Sequence, residues 1–241
     1  MKGIILALQF LTRIPLPIQV DFTHENAKHA LFAFPFISGL MGLIFGWVHQ
    51  WLFPHSAMVA AFVGLLLWNL LNGGLHLDGL GDTFDGFLSN RSREEKLRIM
   101  HDSTVGTFAI LAIFLVLLGK FALLSAHNYG PVKLMAALFS ARLGVLYCIG
   151  FAPSARPDGL GAYFQSGRPQ KGIVLLTALT ALALWFWYPR ALFLLLGGCF
   201  NGLWISWWSI RNIGGVSGDI FGAAMELGEL VCLLILWGIT L

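Results

Sequence analysis

The feature that most constrains this chain is a recurrence of apolar segments about as long as a bilayer is thick. They cover residues 30–53, 56–75, 107–127, 131–152, 172–188, 190–209 and 218–239. At the helical rise of about 1.5 Å per residue, each crosses or nearly crosses roughly 30 Å of hydrocarbon. In that medium the backbone must bond to itself, which selects helices. Only 11% of the residues are charged and 57% are hydrophobic, whereas soluble domains carry about 25% charged residues. The expected fold class is all-α: a polytopic integral membrane helical bundle of about seven spans, forming a single domain over residues 1–241. Gly39, Gly42 and Gly46 are small packing positions in the first span. Trp47, Trp51, Trp185, Trp187, Trp207 and Trp208 fall near span ends, as an interfacial belt requires. The opening MKGIILALQFLTRIPLP has too short an apolar run for a span, and no small-residue cleavage site follows it. It reads as an interfacial or re-entrant helix with Lys2 and Arg13 among headgroups.

Basic residues set the topology. Counting alternate ends from the N-terminus, one end holds Lys2, Arg13, Lys28, Arg91, Arg93, Lys96, Arg98, Arg156, Arg168, Lys171 and Arg211. The other holds Lys133 and Arg190, while Lys120 and Arg142 lie inside spans. Eleven against two places the first end in the cytoplasm by the positive-inside bias. The net charge of +3 is too small to argue for nucleic acid. Cys148, Cys199 and Cys232 are isolated in apolar segments and read as buried hydrophobes rather than metal ligands.

Against this background the stretch Asn72–Gly106, NGGLHLDGLGDTFDGFLSNRSREEKLRIMHDSTVG, stands apart. It holds four of the chain's seven aspartates, Asp78, Asp82, Asp85 and Asp102, together with His76, His101, Arg91, Arg93, Lys96 and Arg98. The i, i+4, i+7 spacing of Asp78, Asp82 and Asp85 predicts one helical face. Three carboxylates so close repel unless a cation sits among them. Oxygen ligands favour Mg²⁺, Mn²⁺ or Ca²⁺ over zinc, and Mg²⁺ commonly shares phosphate oxygens with its substrate. The pattern therefore points to metal-assisted phosphoryl chemistry. A solvated acidic loop is the bland reading, and the scarcity of acid elsewhere fits it poorly. Arg91, Arg93, Lys96 and Arg98 either clamp substrate phosphates or anchor the loop to anionic headgroups.

GGLHLDGLGDTFDGF followed by RIMHDSTVGTF resembles the cobalamin synthase (adenosylcobinamide-GDP ribazoletransferase) family. The opening ALQFLTRIPLP and the late GGVSGDIFGAAMELGELV, residues 214–231, are similar to that family's other signature segments, in family order. The resemblance covers essentially the whole chain. It implies a membrane transferase of late cobalamin biosynthesis that joins adenosylcobinamide-GDP to α-ribazole or α-ribazole 5′-phosphate, releasing GMP, with Mg²⁺ as cofactor. Gly81 stands where alanine is common in the family, and Ser217 where threonine is common.

On that reading Asp78, Asp82 and Asp85 are the catalytic and metal-binding carboxylates. Asp219, at the mouth of the last span, is expected to add a ligand, contact the substrate or cap a helix. His76, Arg91, Arg93, Arg98, Asp102, Arg142, Glu226 and Glu229 are the candidate substrate-binding residues. Because intramembrane charge is costly unless paired or functional, the similar depths of Lys120, Arg142, Glu226 and Glu229 also predict buried pairs among them. The loop 153–171, with Arg156, Asp158 and Arg168, is either a lid or a plain connector. A homo-oligomer is compatible with the sequence. Two other classes remain in view. One is an ion- or proton-coupled transporter that uses the intramembrane charges as a relay. The other is a CDP-alcohol phosphotransferase-like enzyme, although no Ala-Arg dipeptide follows Asp78–Gly79 as that motif requires.

Overall fold

A computed structural model describes residues 2–155, 160–165 and 169–240 of the protein. Its helices are α1 (Lys2–Leu11), α2 (His24–Leu52), α3 (Ala57–Asn72), α4 (Leu75–Leu88), α5 (Arg93–Ile99), α6 (Thr107–Ala126), α7 (Gly130–Phe151), α8 (Leu160–Gln165), α9 (Gln170–Trp187), α10 (Leu192–Ile213) and α11 (Gly218–Thr240). Six are long and apolar enough to cross a membrane: α2, α6, α7, α9, α10 with its leading turn, and α11. The pair α3 and α4 supplies a seventh crossing if taken together, but it is bent by 87°. The chain is an integral membrane helical bundle, as expected, and no β-strand occurs among the described residues.

One boundary differs from the sequence reading. The second apolar segment does not run as helix into the aspartates: α3 stops at Asn72, and Gly73 and Gly74 take φ of +64° and +73°. Two consecutive left-handed residues end a helix and redirect the chain, a conformation open to glycine at little cost. The N-terminal segment is α1, about 15 Å long by its ten residues, which is too short to cross. Its buried face, Leu6, Ala7 and Leu11, packs along the first turns of α2, where Phe10 stacks on Phe34 at 5.5 Å. The backbone of Arg13 then donates to Leu71 O at 2.7 Å, which ties this segment to the end of α3.

α7 is the central helix, buried along most of its length and packed against α2, α10 and α11. Without a hydrophobic driving force between helices in lipid, close backbone approach carries much of the association. A Cβ on Gly198 or Gly202 would collide with the carbonyl oxygen of Ser140 or Gly144, so α7 and α10 meet backbone to backbone. Gly42 and Gly46 of α2 do the same against Leu134 and Pro131, whereas Gly39 faces the Phe139 side chain. α9 is peripheral, with only Ile173 and Leu184 buried along it.

At one end the polar connections converge. Ser154 and Val216 form an isolated parallel bridge, with Ala155 N donating to Val216 O at 2.9 Å and Val216 N to Pro153 O at 2.8 Å. Lys96 Nζ donates to Asn212 Oδ1 at 2.6 Å, joining α5 to the end of α10. The aspartate stretch, the start of the 153–171 loop and the turn after α10 therefore meet at one end. Of the 153–171 loop, Arg156, Asp158 and Arg168 lie outside the described residues.

Replacing Gly198 by Leu should force α7 and α10 apart. Overpacking of a close-packed contact costs about 1–3 kcal/mol. A lower melting temperature of the detergent-solubilised protein, with Gly238→Leu as a neutral control, is the expected result.

Candidate active site

The acidic helix α4 lies across the end of the bundle rather than through it. Gly79 packs against the Asp219 backbone at the start of α11, and Gly81 against Ala109 in the first turn of α6. α4 thus bridges the N-terminal turns of two spans, where unpaired backbone N–H groups favour negative charge.

The aspartates divide by task. Asp85 spends both oxygens on α6: Oδ2 accepts from Gly106 N at 2.6 Å and Oδ1 from Ala109 N at 2.9 Å. Gly106, the N-cap of α6, offers no side chain, and Asp85 caps the helix from another element. Asp78 is exposed, and Asp82 and Asp219 are half-buried beside it. Burial first, and then the charges of Asp78, Asp219 and Asp85, push the Asp82 carboxyl up to about 7. Asp219, from the far end of the sequence, therefore belongs electrostatically to the same acidic site. Ser217 Oγ donates to Asp219 Oδ2 at 3.3 Å.

Asp102 is exposed and accepts from Thr104 Oγ1 and N at 2.8 and 3.0 Å, which holds its carboxyl below the usual range. With Asp85, Ser89, Gly106 and Phe108 it lines a cavity of about 320 Å³ beside α4. Arg91, Arg93 and Arg98 are exposed on or next to α5. That helix is set by a capping box in which Ser92 and Glu95 bond reciprocally. The Arg93 guanidinium rests on Gly214, whose φ of +78° turns α10 into the next connection.

Beneath α4 lies a second charged group. Lys120 Nζ contacts Glu226 Oε2 at 2.6 Å and Glu229 Oε2 at 2.5 Å, and Arg142 Nη1 lies 2.7 Å from Glu229 Oε1. The last contact is an ion pair without hydrogen-bond alignment, and Arg142 Nε also has no hydrogen-bond partner. All four side chains are at most 3% exposed, and Lys120 also sits 5.2 Å from the centre of the Trp68 ring. The predicted pairing is thus realised as a four-residue cluster of zero net charge. His76, buried on the underside of α4, has no hydrogen-bond partner at either ring nitrogen. Lys96, Asn212 and Arg13 also position this end, and neither Asn212 nor its bond to Lys96 had a signal in the sequence.

A bundle of membrane spans with its carboxylates gathered at one end, over a neutralised buried charge cluster, defines a helical integral membrane protein with a polar site at one face. The profile of the cobalamin-5-phosphate synthase family matches residues 3–237, and the chain belongs to that family of transferases. Relatives named adenosylcobinamide-GDP ribazoletransferase include those of Treponema denticola (34% identical, covering 97% of this chain and 96% of the relative) and Klebsiella pneumoniae (36%, covering 98% and 99%). The relative of that name from a Roseiflexus species is 38% identical, covering 94% of this chain and 86% of its own. No solved structure matches.

Two outcomes test this geometry. The raised Asp82 carboxyl means that the folded protein binds this proton more tightly than the unfolded chain does, so its ionisation destabilises as pH rises from about 4 towards 7. In metal-free buffer Asp82→Asn should therefore raise the melting temperature at pH 8, with the gain shrinking at pH 5. Lys120→Met leaves two buried carboxylates to one cation, and breaking a buried pair costs about 3–5 kcal/mol. A clear loss of thermal stability is expected, measured by the unfolding of purified protein in detergent.

Proposed function

We propose that this protein joins adenosylcobinamide-GDP to α-ribazole or its 5′-phosphate, with release of GMP. The reading rests on family membership and on relatives whose names specify an adenosylcobinamide-GDP ribazoletransferase. It also rests on one observation of the site, the upward push on Asp82 from its burial and then from Asp78, Asp219 and Asp85. In the proposed reaction a ribose hydroxyl of the acceptor attacks the phosphorus that carries cobinamide. A new P–O bond forms, the bond to GMP breaks, and the hydroxyl proton passes to a base.

The carboxylates fit a hard divalent cation in their chemistry, since all the donors are oxygens and they repel one another. Among the described residues, no three His, Cys, Asp or Glu side chains are gathered closely enough to hold a metal alone. Mg²⁺ would be held by Asp78 and Asp219 together with diphosphate oxygens, which suits its habit of sharing ligands with substrate. When bound it supplies charge stabilisation for the phosphoryl transfer. Asp85 then acts by fixing α6 against α4, since both of its oxygens already accept backbone hydrogens. Asp82, with its carboxyl raised towards neutrality by burial and by its carboxylate neighbours, is the residue assigned to receive the hydroxyl proton. Arg91, Arg93 and Arg98 lie on the exposed side of the site, where guanidinium groups can receive phosphate. Arg142 and Glu229 act from below through the buried cluster, Glu226 with them, and His76 supports α4. The excess of basic residues at this end orients the site towards the cytoplasm. The whole chain acts as one membrane domain.

Purified protein in liposomes, given adenosylcobinamide-GDP, α-ribazole and Mg²⁺, should release GMP. EDTA should abolish that release, and Asp82→Asn should reduce it at least about a hundredfold, the scale of an acid–base or metal-binding group. GMP release that continues without any divalent ion would refute the metal assignment, and no product from folded protein would refute the reaction.

A further inference from the structure

The end of the bundle away from the aspartates carries a groove that the transferase reading does not use. A cavity of about 390 Å³ opens there, lined by Gln50, Lys133 and Tyr188. A second cavity of about 600 Å³ runs along the flank between α2, α7 and α9, walled by apolar side chains such as Phe36, Leu43, Phe139 and Leu179. The two share Ala136, Leu184 and Trp187, so they form one groove with a polar mouth and an apolar channel. It exists because α9 packs loosely against the rest of the bundle.

The charge at the mouth decides what fits it. Lys133 is half-buried in the groove wall, and no carboxylate among the described residues lies within ion-pair distance of it. The connections at this end, residues 53–56, 127–129 and 188–191, contain no Asp or Glu. A second copy of the chain docking here in the same membrane orientation would bring Lys133 and Arg190 to this level, and no Asp or Glu from these connections. It would set like charge against like. The bilayer itself supplies the complement, a phosphate at headgroup level continuous with acyl chains. We propose that this groove is a binding site for a diacyl phospholipid with an anionic headgroup, whose phosphate is held by Lys133 and whose acyl chain lies along α9. Trp187, at the junction of the two cavities, marks the headgroup boundary, where indole rings are favoured. The site also fills the gap that loose packing leaves beside α9.

Native mass spectrometry of delipidated protein, titrated with phosphatidylglycerol or phosphatidylcholine of matched chains, tests the assignment. Wild-type protein should retain one phosphatidylglycerol with about fivefold preference, the factor that one lysine near anionic lipid corresponds to. Lys133→Gln should erase that preference, Arg190→Gln should leave it intact, and Ala183→Trp, which fills the channel from an exposed position, should weaken retention of both lipids. Equal retention of the two lipids by wild type would overturn the proposal, as would a preference that survives Lys133→Gln. A protein dimer that excludes lipid from the groove would overturn it as well.

Discussion

The structure depends on the neutralisation of Lys120, Arg142, Glu226 and Glu229 inside the bundle. They come from α6, α7 and α11, and each is nearly or wholly shielded from solvent. An unpaired charge at that depth is costly, and removing one member of a buried pair strands the other. The cluster therefore fixes the mutual rotation and depth of three helices, which apolar side chains alone specify weakly in lipid. It also sets the platform for α4, because Gly222 of α11, one turn above Glu226, packs against the His76 backbone.

On that platform the aspartate helix is held mainly by backbone-directed contacts. The Gly73–Gly74 turn swings it across the bundle, the Asp219 backbone receives Gly79, and Asp85 caps α6. Asp85 thus stabilises the fold through its charge, while Asp78 and Asp219 crowd Asp82 with like charge. Like charges gathered at one place lower stability, and this group is anchored on both sides by helix termini that offset part of that cost. The bridge between Ser154 and Val216 and the bond from Lys96 to Asn212 then bring the remaining polar connections to the same rim.

Much of this was legible in the sequence because a bilayer allows few solutions. Segment length and apolarity gave the spans, and the rarity of charge made both Asp78–Asp85 and the Lys120–Glu229 group conspicuous. The 87° bend was harder to place. The apolar run through Leu70 and Leu71 reads as continuous helix until the paired glycines, and a glycine pair in a membrane segment serves packing as often as turning. The capping role of Asp85 was hidden for a different reason. Its spacing groups it with Asp78 and Asp82, and its partners at Gly106 and Ala109 are backbone amides more than twenty positions away, which leave no trace in side-chain pattern. Arg142, Glu226 and Glu229 were expected beside a substrate as well as beside one another, and the structure places them in mutual contact below the site.

The buried cluster also carries a consequence for how the protein is made. Lys120 and Arg142 emerge from the ribosome with their spans long before the segment holding Glu226 and Glu229 is synthesised. A lysine or arginine at the centre of an inserting helix costs about 2.5–3.5 kcal/mol, which the surrounding apolar residues of α6 and α7 must offset until the last span arrives. Insertion of α11 is therefore the event that converts two tolerated intramembrane cations into a closed network. α11 closes the network, and a chain that stalls before it holds Lys120 and Arg142 within its spans without the carboxylates that pair with them.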